Sequence, residues 1–399
     1  MKILHVITTM DPRSGGTCQV IRDLTPCLHE NGNSVEIVCL DDPKAEYLSS
    51  ESLCIHALGK SRGSWAYHPA LRPWIKENLR RFDVIILNGL WHYAGYTLSQ
   101  VAQRPDMPPY YIFPHGMLDP WFQRTPGRRL KALRNTIYWR FVEQHVIRNA
   151  EAILFTCAEE MRLARETFRP YQPKQQINVS YGVSEPPLFH QGMEEAFENR
   201  YPCLKHKPYL LFLGRIHPKK GVDLLIKGYA ALCRTSQNIT KQFWPNLVIA
   251  GPGLDTPYGK QMQELAAQIC PPESVFWPGM LSGDAKWGAV YLCEAFILLS
   301  HQENFGLAVV ESLACEKPVL ISNQVNIWRE IEEDRAGLVG DDTLEGAGEI
   351  LRRWVGISPG EKAAMRHAAR SSYENRFCIG FAARRLLTAV EQPPAFERL

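Results

Sequence analysis

A chain of 399 residues with 45% hydrophobic and 22% charged residues has the composition of a soluble globular protein, and its length suits two domains of ordinary size. A net charge of +3 is too small to imply nucleic acid as a partner, and no zinc, RNP or helix-turn-helix signature appears. The 11 cysteines are scattered singly with no C-x-x-C, which argues for buried thiols in a reducing compartment rather than a disulfide framework. The opening "MKILHVITTM" is too short an apolar run for a signal peptide, and no run approaches the ~18 apolar residues of a membrane span. The expectation is a cytoplasmic protein.

In chain order, the first half alternates short apolar strands, at 2–8, 34–40, 83–88, 110–113 and 151–156, with helical patterns such as 17–31, which stops at Gly32. Such alternation predicts a mostly parallel sheet. The polar, proline-bearing stretch 184–208 reads as a linker region. The pattern then restarts, with strands at 209–214, 246–251, 274–279, 294–300 and 318–322, and closes on an amphipathic helix at 377–391. The fold class is therefore α/β, with two doubly wound Rossmann-like domains at 1–190 and 205–376. The closing segment 377–399 is expected to pack back on the first domain. Two such domains facing a central cleft would make a small-molecule site.

Chemistry concentrates in two strand-to-helix turns of the second half. "GRIHPKKG" (214–221) places Arg215, Lys219, Lys220 and Gly221 at the carboxyl edge of the sheet, where ligands bind. A guanidinium fork and a movable ammonium at a helix N-terminus suit a diphosphate, while the structural alternative is a solvated basic turn. "HQENFGLAVVESLACEKPVL" (301–320) sets Glu303 in a loop, Gly306 at the helix entry and Glu311 inside the helix, eight positions after Glu303. Free amides of the new helix favour an anion, so the stretch reads as a floor for a molecule carrying phosphate and hydroxyls. The alternative is a surface loop and an exposed glutamate.

These two segments, in this order and about ninety residues apart, resemble the signature pair of glycosyltransferase family 4, retaining nucleotide-sugar enzymes of GT-B architecture. The resemblance covers essentially the whole chain, from the Gly15-Gly16 loop to the closing helix. It implies an acceptor-side first domain and a donor-binding second domain. Arg215 and Lys220 would neutralise the donor diphosphate, and Glu303 would hold sugar hydroxyls. Backbone around Asn304, Phe305, Gly306 and Leu307 would face sugar and phosphate, and Glu311 would take the ribose hydroxyls. Met280 and Leu281 would receive the base, and Gly15 and Gly16 would approach the diphosphate from the first domain. His115, in "FPHGM", matches a family His-Gly beside the donor sugar, and a structural histidine at a strand end is the other reading. The resemblance favours a same-face route to retention with no covalent nucleophile. The chain has no Asp-x-Asp triplet of the kind that holds a diphosphate through a divalent ion, so no metal and no cofactor is expected. Glu316 stands where the family often has glycine, "NQVNIWREI" (323–331) replaces a common Gly-Gly loop, and Tyr181 replaces a common Asn.

Two further patches stand out. Arg124, Arg128, Arg129, Lys131, Arg134, Arg140 and Arg148 face a single acid, Glu143, with Trp121, Phe122, Trp139 and Phe141 among them. A basic aromatic helix docks on anionic lipid; a solvated basic face over an ordinary core is the alternative. Asn88, Trp91 and His92, at the end of a strand and in "WHYAGY", would line an acceptor sugar site or belong to the core. The expected partners are a nucleotide sugar, best UDP-glucose, and a saccharide or lipid-linked acceptor, as in bacterial polysaccharide biosynthesis. Rival readings are a GDP-mannose-dependent mannosyltransferase, a UDP-sugar epimerase of the same architecture, and a degenerate binding subunit. A dinucleotide oxidoreductase would use Asp41 after the second strand, but the first loop lacks the G-x-G-x-x-G spacing.

Overall fold

The computed structural model describes residues 1–49, 52–104, 106–125, 127, 129–235 and 244–391. Arg128 of the basic segment and residues 392–399 of the closing segment lie outside the described residues. The chain divides into two compact units, Met1–Ser184 with Ile379–Leu399, and Glu185–Cys378.

The first unit holds strands β1 (Lys2–Val6), β2 (Ser34–Cys39), β3 (Cys54–Ala57), β4 (Val84–Asn88), β5 (Tyr110–Phe113), β6 (Ala152–Phe155) and β7 (Gln176–Asn178). Among the described residues they form one parallel sheet in the order β3-β2-β1-β4-β5-β6-β7. The central strands are apolar throughout because both faces are covered: Leu4, Ile85 and Leu87 enter one core cluster, while Ile3, Val84 and Ile86 enter another. The closing helix Ile379–Glu391 supplies Ala383, Leu386 and Val390 to the second cluster and packs on the helix Gly16–Glu30.

The second unit holds β8 (Tyr209–Leu213), β9 (Asn246–Ala250), β10 (Val275–Gly279), β11 (Ala295–Leu298), β12 (Val319–Ser322) and β13 (Gly337–Gly340), parallel in the order β10-β9-β8-β11-β12-β13. In both sheets the winding reverses next to the unit's first strand, between β1 and β4 and between β8 and β11. Loops at the carboxyl ends of such neighbours diverge and leave room for a ligand.

The segment 184–208, expected as a linker, belongs from Glu185 onward to the second unit and contains the helix Gln191–Glu198. Met193 and Phe197 bury its apolar edge against the helix Gly283–Leu292. Two apolar residues four apart among acids make a stripe too short to register as helical periodicity.

Candidate active site

The second unit brings both turns to its β8/β11 switch point. After β8 the turn Pro218–Lys220 leads to Gly221 at φ 64, ahead of the helix Val222–Thr235. A Cβ on Gly221 would lie 1.7 Å from the Leu299 carbonyl oxygen, so only glycine lets this turn press on the chain leaving β11. From the other side, the His301 N–H donates to the Lys219 carbonyl at 2.9 Å. This docking sets the Lys220 ammonium against Glu303 Oε2, to which it donates, and each side chain is only 18% exposed. Arg215 is exposed in the same turn.

Glu303 is fixed through its backbone. Its N–H donates to the Gln324 carbonyl and its carbonyl accepts from the Asn326 N–H, both at 2.9 Å. The divergent loop 323–331 therefore brackets Glu303. Asn326 also lies within 3.5 Å of the Asn304 side chain, and Phe305 is buried against Phe377. Gly306, at φ 80, opens the helix Leu307–Ala314; a Cβ there would come within 3.4 Å of Glu303 Cγ and 3.0 Å of Val309 Cγ2. Glu311, on that helix, accepts from Lys286 at 2.7 Å, and Lys286 in turn lies over the Trp287 ring at 4.4 Å. At the end of β10, Met280 is exposed and Leu281 buried.

His301 ties the loop to its surroundings. Its Nδ1 donates to Asp342 Oδ1 at 2.7 Å, and its Nε2 lies 3.8 Å from Asp223 Oδ1. Asp223 and Asp342 together raise the imidazole to about 9, so it is charged at neutral pH.

In the first unit, Gly15 and Gly16 open the helix Gly16–Glu30 after β1, and Asn88 ends β4. Asn88 Nδ2 donates to His5 Nδ1 at 3.2 Å, and Asn88 Oδ1 accepts from His115 Nε2 at 3.1 Å. This places the proton on Nε2 of both imidazoles. His5 Nε2 and His115 Nδ1 are buried without a hydrogen-bond partner among the described residues. Burial lowers His5 to about 4; burial, with His5 beside it, lowers His115 to about 3. Both rings are neutral at physiological pH. A cavity of about 20 Å³, lined in part by His5, Asn88, His115 and Tyr181, has room for one water. Glu160 holds the His115–Gly116 turn, accepting from the Gly116 N–H at 2.6 Å and from the Thr156 N–H at 2.8 Å.

The run 91–96 is mostly packed: Trp91 meets Phe168 at 5.3 Å between centroids, Tyr93 is buried, and Tyr96 packs on the core. His92 precedes the helix Tyr93–Val101 with Nδ1 buried and unpartnered among the described residues. Asp41 accepts from the Thr9 hydroxyl and the Met10 N–H, both at 2.6 Å, so the acid a dinucleotide ribose would need serves the loop after β1 instead.

Sequence reasoning missed Lys286, His301, Glu160 and Asn326. His301, two residues before Glu303, was within view, but its partners Asp223 and Asp342 are distant in sequence. Lys286 carried no signal, being one cation on a mostly apolar helix.

The fold has known counterparts. A model of "Glycosyl transferase 4-like domain" matches residues 15–179, and one of "Glycosyl transferases group 1" matches residues 194–370. The D-inositol 3-phosphate glycosyltransferase of Geodermatophilus obscurus is 26% identical over 239 residues, 58% of this chain and 52% of that protein. The matched region spans about half, or less, of the length of such curated relatives. A glycosyltransferase from Rickettsia africae superposes with a TM-score of 0.76 at 15% identity, covering 98% of this chain and 99% of that one. Anabaena Alr3699/HepE, solved with UDP and glucose, superposes with a TM-score of 0.72 at 15% identity and the same coverage. With a glycosyltransferase domain model on each of its two parallel-sheet units, the chain belongs to the glycosyltransferases of GT-B fold, consistent with family 4.

Proposed function

We propose that the protein transfers a hexose, with retention and without a metal ion, from a UDP-sugar to a hydroxyl of a saccharide or lipid-linked saccharide. The observation that carries this reading is the pair of lysine–glutamate contacts, Lys220–Glu303 and Lys286–Glu311, set around the amides of the helix at Leu307. A nucleotide sugar matches that pattern group by group. Its diphosphate takes over Lys220 with Arg215 and the helix amides, which releases Glu303 to accept hydrogen bonds from sugar hydroxyls. Glu311, steadied by Lys286, accepts from the ribose diol, and backbone at Met280 and Leu281 meets the base.

In the reaction the anomeric C–O bond to phosphate breaks as the acceptor oxygen bonds the same face of the anomeric carbon, and the acceptor proton passes to the departing phosphate. No covalent nucleophile is needed. Catalysis rests on cations and amides already aimed where charge develops, and Glu303 contributes by positioning the sugar. UDP-glucose is the preferred donor, supported by the UDP and glucose held by the similar Anabaena structure. The similar D-inositol 3-phosphate glycosyltransferases add an inositol phosphate as a second acceptor class.

The test is sugar transfer in excess EDTA, with UDP-glucose, UDP-N-acetylglucosamine, UDP-galactose and GDP-mannose as donors. Transfer should persist with chelator. Activity that vanishes with EDTA and returns with Mg²⁺ or Mn²⁺ overturns the metal-free mechanism. A fully active Lys220→Ala, Arg215→Ala double variant overturns the site, and a changed sugar formed without acceptor identifies an epimerase.

A further inference from the structure

The helix Arg129–Tyr138, with the turn Trp139–Glu143 that continues it, buries the wrong face for an ordinary surface helix. The helix has no fully buried residue, yet Leu130, Leu133, Ile137 and Phe141 are 86%, 59%, 53% and 74% exposed. Their spacings of three, four and four put them on one side. Opposite them Ala132, Asn135, Tyr138 and Val142 are half-buried and Trp139 is fully buried, so the inward face is already occupied.

Cations edge the apolar stripe: Arg129, Lys131, Arg134 and Arg140 are all exposed. The local acid does not offset them, because Glu143 is buried and burial pushes its carboxyl up to about 8, neutral at pH 7. The structure also divides the aromatic residues of this segment: Trp139 belongs to the core, Trp121 and Phe122 are half-buried, and Phe141 is exposed. Exposed large apolar groups bordered by long cationic side chains suit a boundary between hydrocarbon and phosphate, where the stems lie along the apolar surface and the heads reach outward.

We propose that this face of the first unit docks on an anionic lipid bilayer, with Leu130, Leu133, Ile137 and Phe141 at the acyl boundary and the flanking cations among the lipid phosphates. A second copy of the chain is a poorer occupant, since it would bring two cationic edges together with no exposed acid among the described residues of 124–148 to pair them. The docking does not depend on the transferase reading.

The experiment is co-sedimentation of the full chain with phosphatidylcholine vesicles, with and without about one third phosphatidylglycerol. Binding is expected on the anionic vesicles at low salt, weakening strongly as the ionic strength approaches ~0.5 M, because screening shortens the reach of the cations. A Leu133→Ser, Ile137→Ser, Phe141→Ser variant should bind at least tenfold more weakly with an unchanged melting temperature, as these side chains are already in water. An Arg129→Glu, Lys131→Glu, Arg134→Glu variant should lose the anionic preference. Absence of binding at low salt, undiminished binding by the serine variant, or equal binding to phosphatidylcholine alone each overturns the proposal. So does a dimer in sedimentation velocity that the serine variant converts to monomer, which would make the stripe a self-interface.

Discussion

The two switch points carry opposite electrostatics. Between β8 and β11, charges stand in pairs: Lys220 with Glu303, Lys286 with Glu311, and His301 with Asp342 and Asp223. Between β1 and β4, Asn88 joins two imidazoles that burial keeps neutral. A paired charge can exchange its partner for a charged ligand at modest net change, because neither ion is left bare. A neutral network cannot make that exchange; it offers direction, a donor here and an acceptor there. Under the proposed function, the second unit would meet phosphate and the first would orient something uncharged.

The sharpest way to break this contrast is to remove one cation. Lys220→Ala should lower turnover on the order of 100- to 1000-fold while the protein stays folded, as expected for a preorganised group facing developing charge. Glu303→Ala should also reduce turnover, whereas Glu311→Ala should chiefly weaken donor binding; equal losses of affinity with unchanged turnover in both would dissolve the distinction. On the neutral side, Asn88→Leu strands His5 Nδ1 and His115 Nε2 and should destabilise the fold by about 1–3 kcal/mol, read by denaturant unfolding. Because His115 titrates near 3, the rate should show no inflection from it between pH 5 and 9. An inflection near neutrality that disappears in His115→Gln would make it an ionising group.

His301 sharpens the comparison through pH. Its folded value, about 9, exceeds the 6.5 of an unfolded histidine. The stability it contributes is therefore complete below about pH 6.5 and is lost as pH rises towards 9. The melting temperature should fall over that window, and His301→Ala should flatten the fall. The smallest effect expected is at Glu316. It takes φ 59 just after the helix Leu307–Ala314, and its N–H and that of Lys317 donate to the Leu313 and Ser312 carbonyls at 3.0 and 2.9 Å. That is a left-handed cap of the kind that favours glycine, so Glu316→Gly should stabilise the fold by about 1 kcal/mol, seen as a rise in melting temperature.

Much of this was legible along the chain. Strands covered on both faces, such as Val84–Asn88 and Ala295–Leu298, are continuous apolar runs and stood out within two residues of their observed ends. The three strands that escaped notice, β3, β7 and β13, all lie at sheet edges, where a strand is half-covered and need not be apolar. The two turns of the second half were legible because closely packed backbone demands glycine at 221 and 306.

What the sequence determined by itself was the alternation of elements, the two doubly wound sheets and the residue types at their carboxyl edges, all of which follow from local periodicity. Which charges meet was decided only by the tertiary structure. Lys220 and Glu303 are 83 positions apart, and His301 and Asp342 are 41 apart. The folding of helix 129–138 with its leucines outward is likewise not in its pattern, since periodicity gives a stripe but not the side that faces the core. Pairing and burial depend on what the rest of the chain brings alongside, and no local rule carries that information.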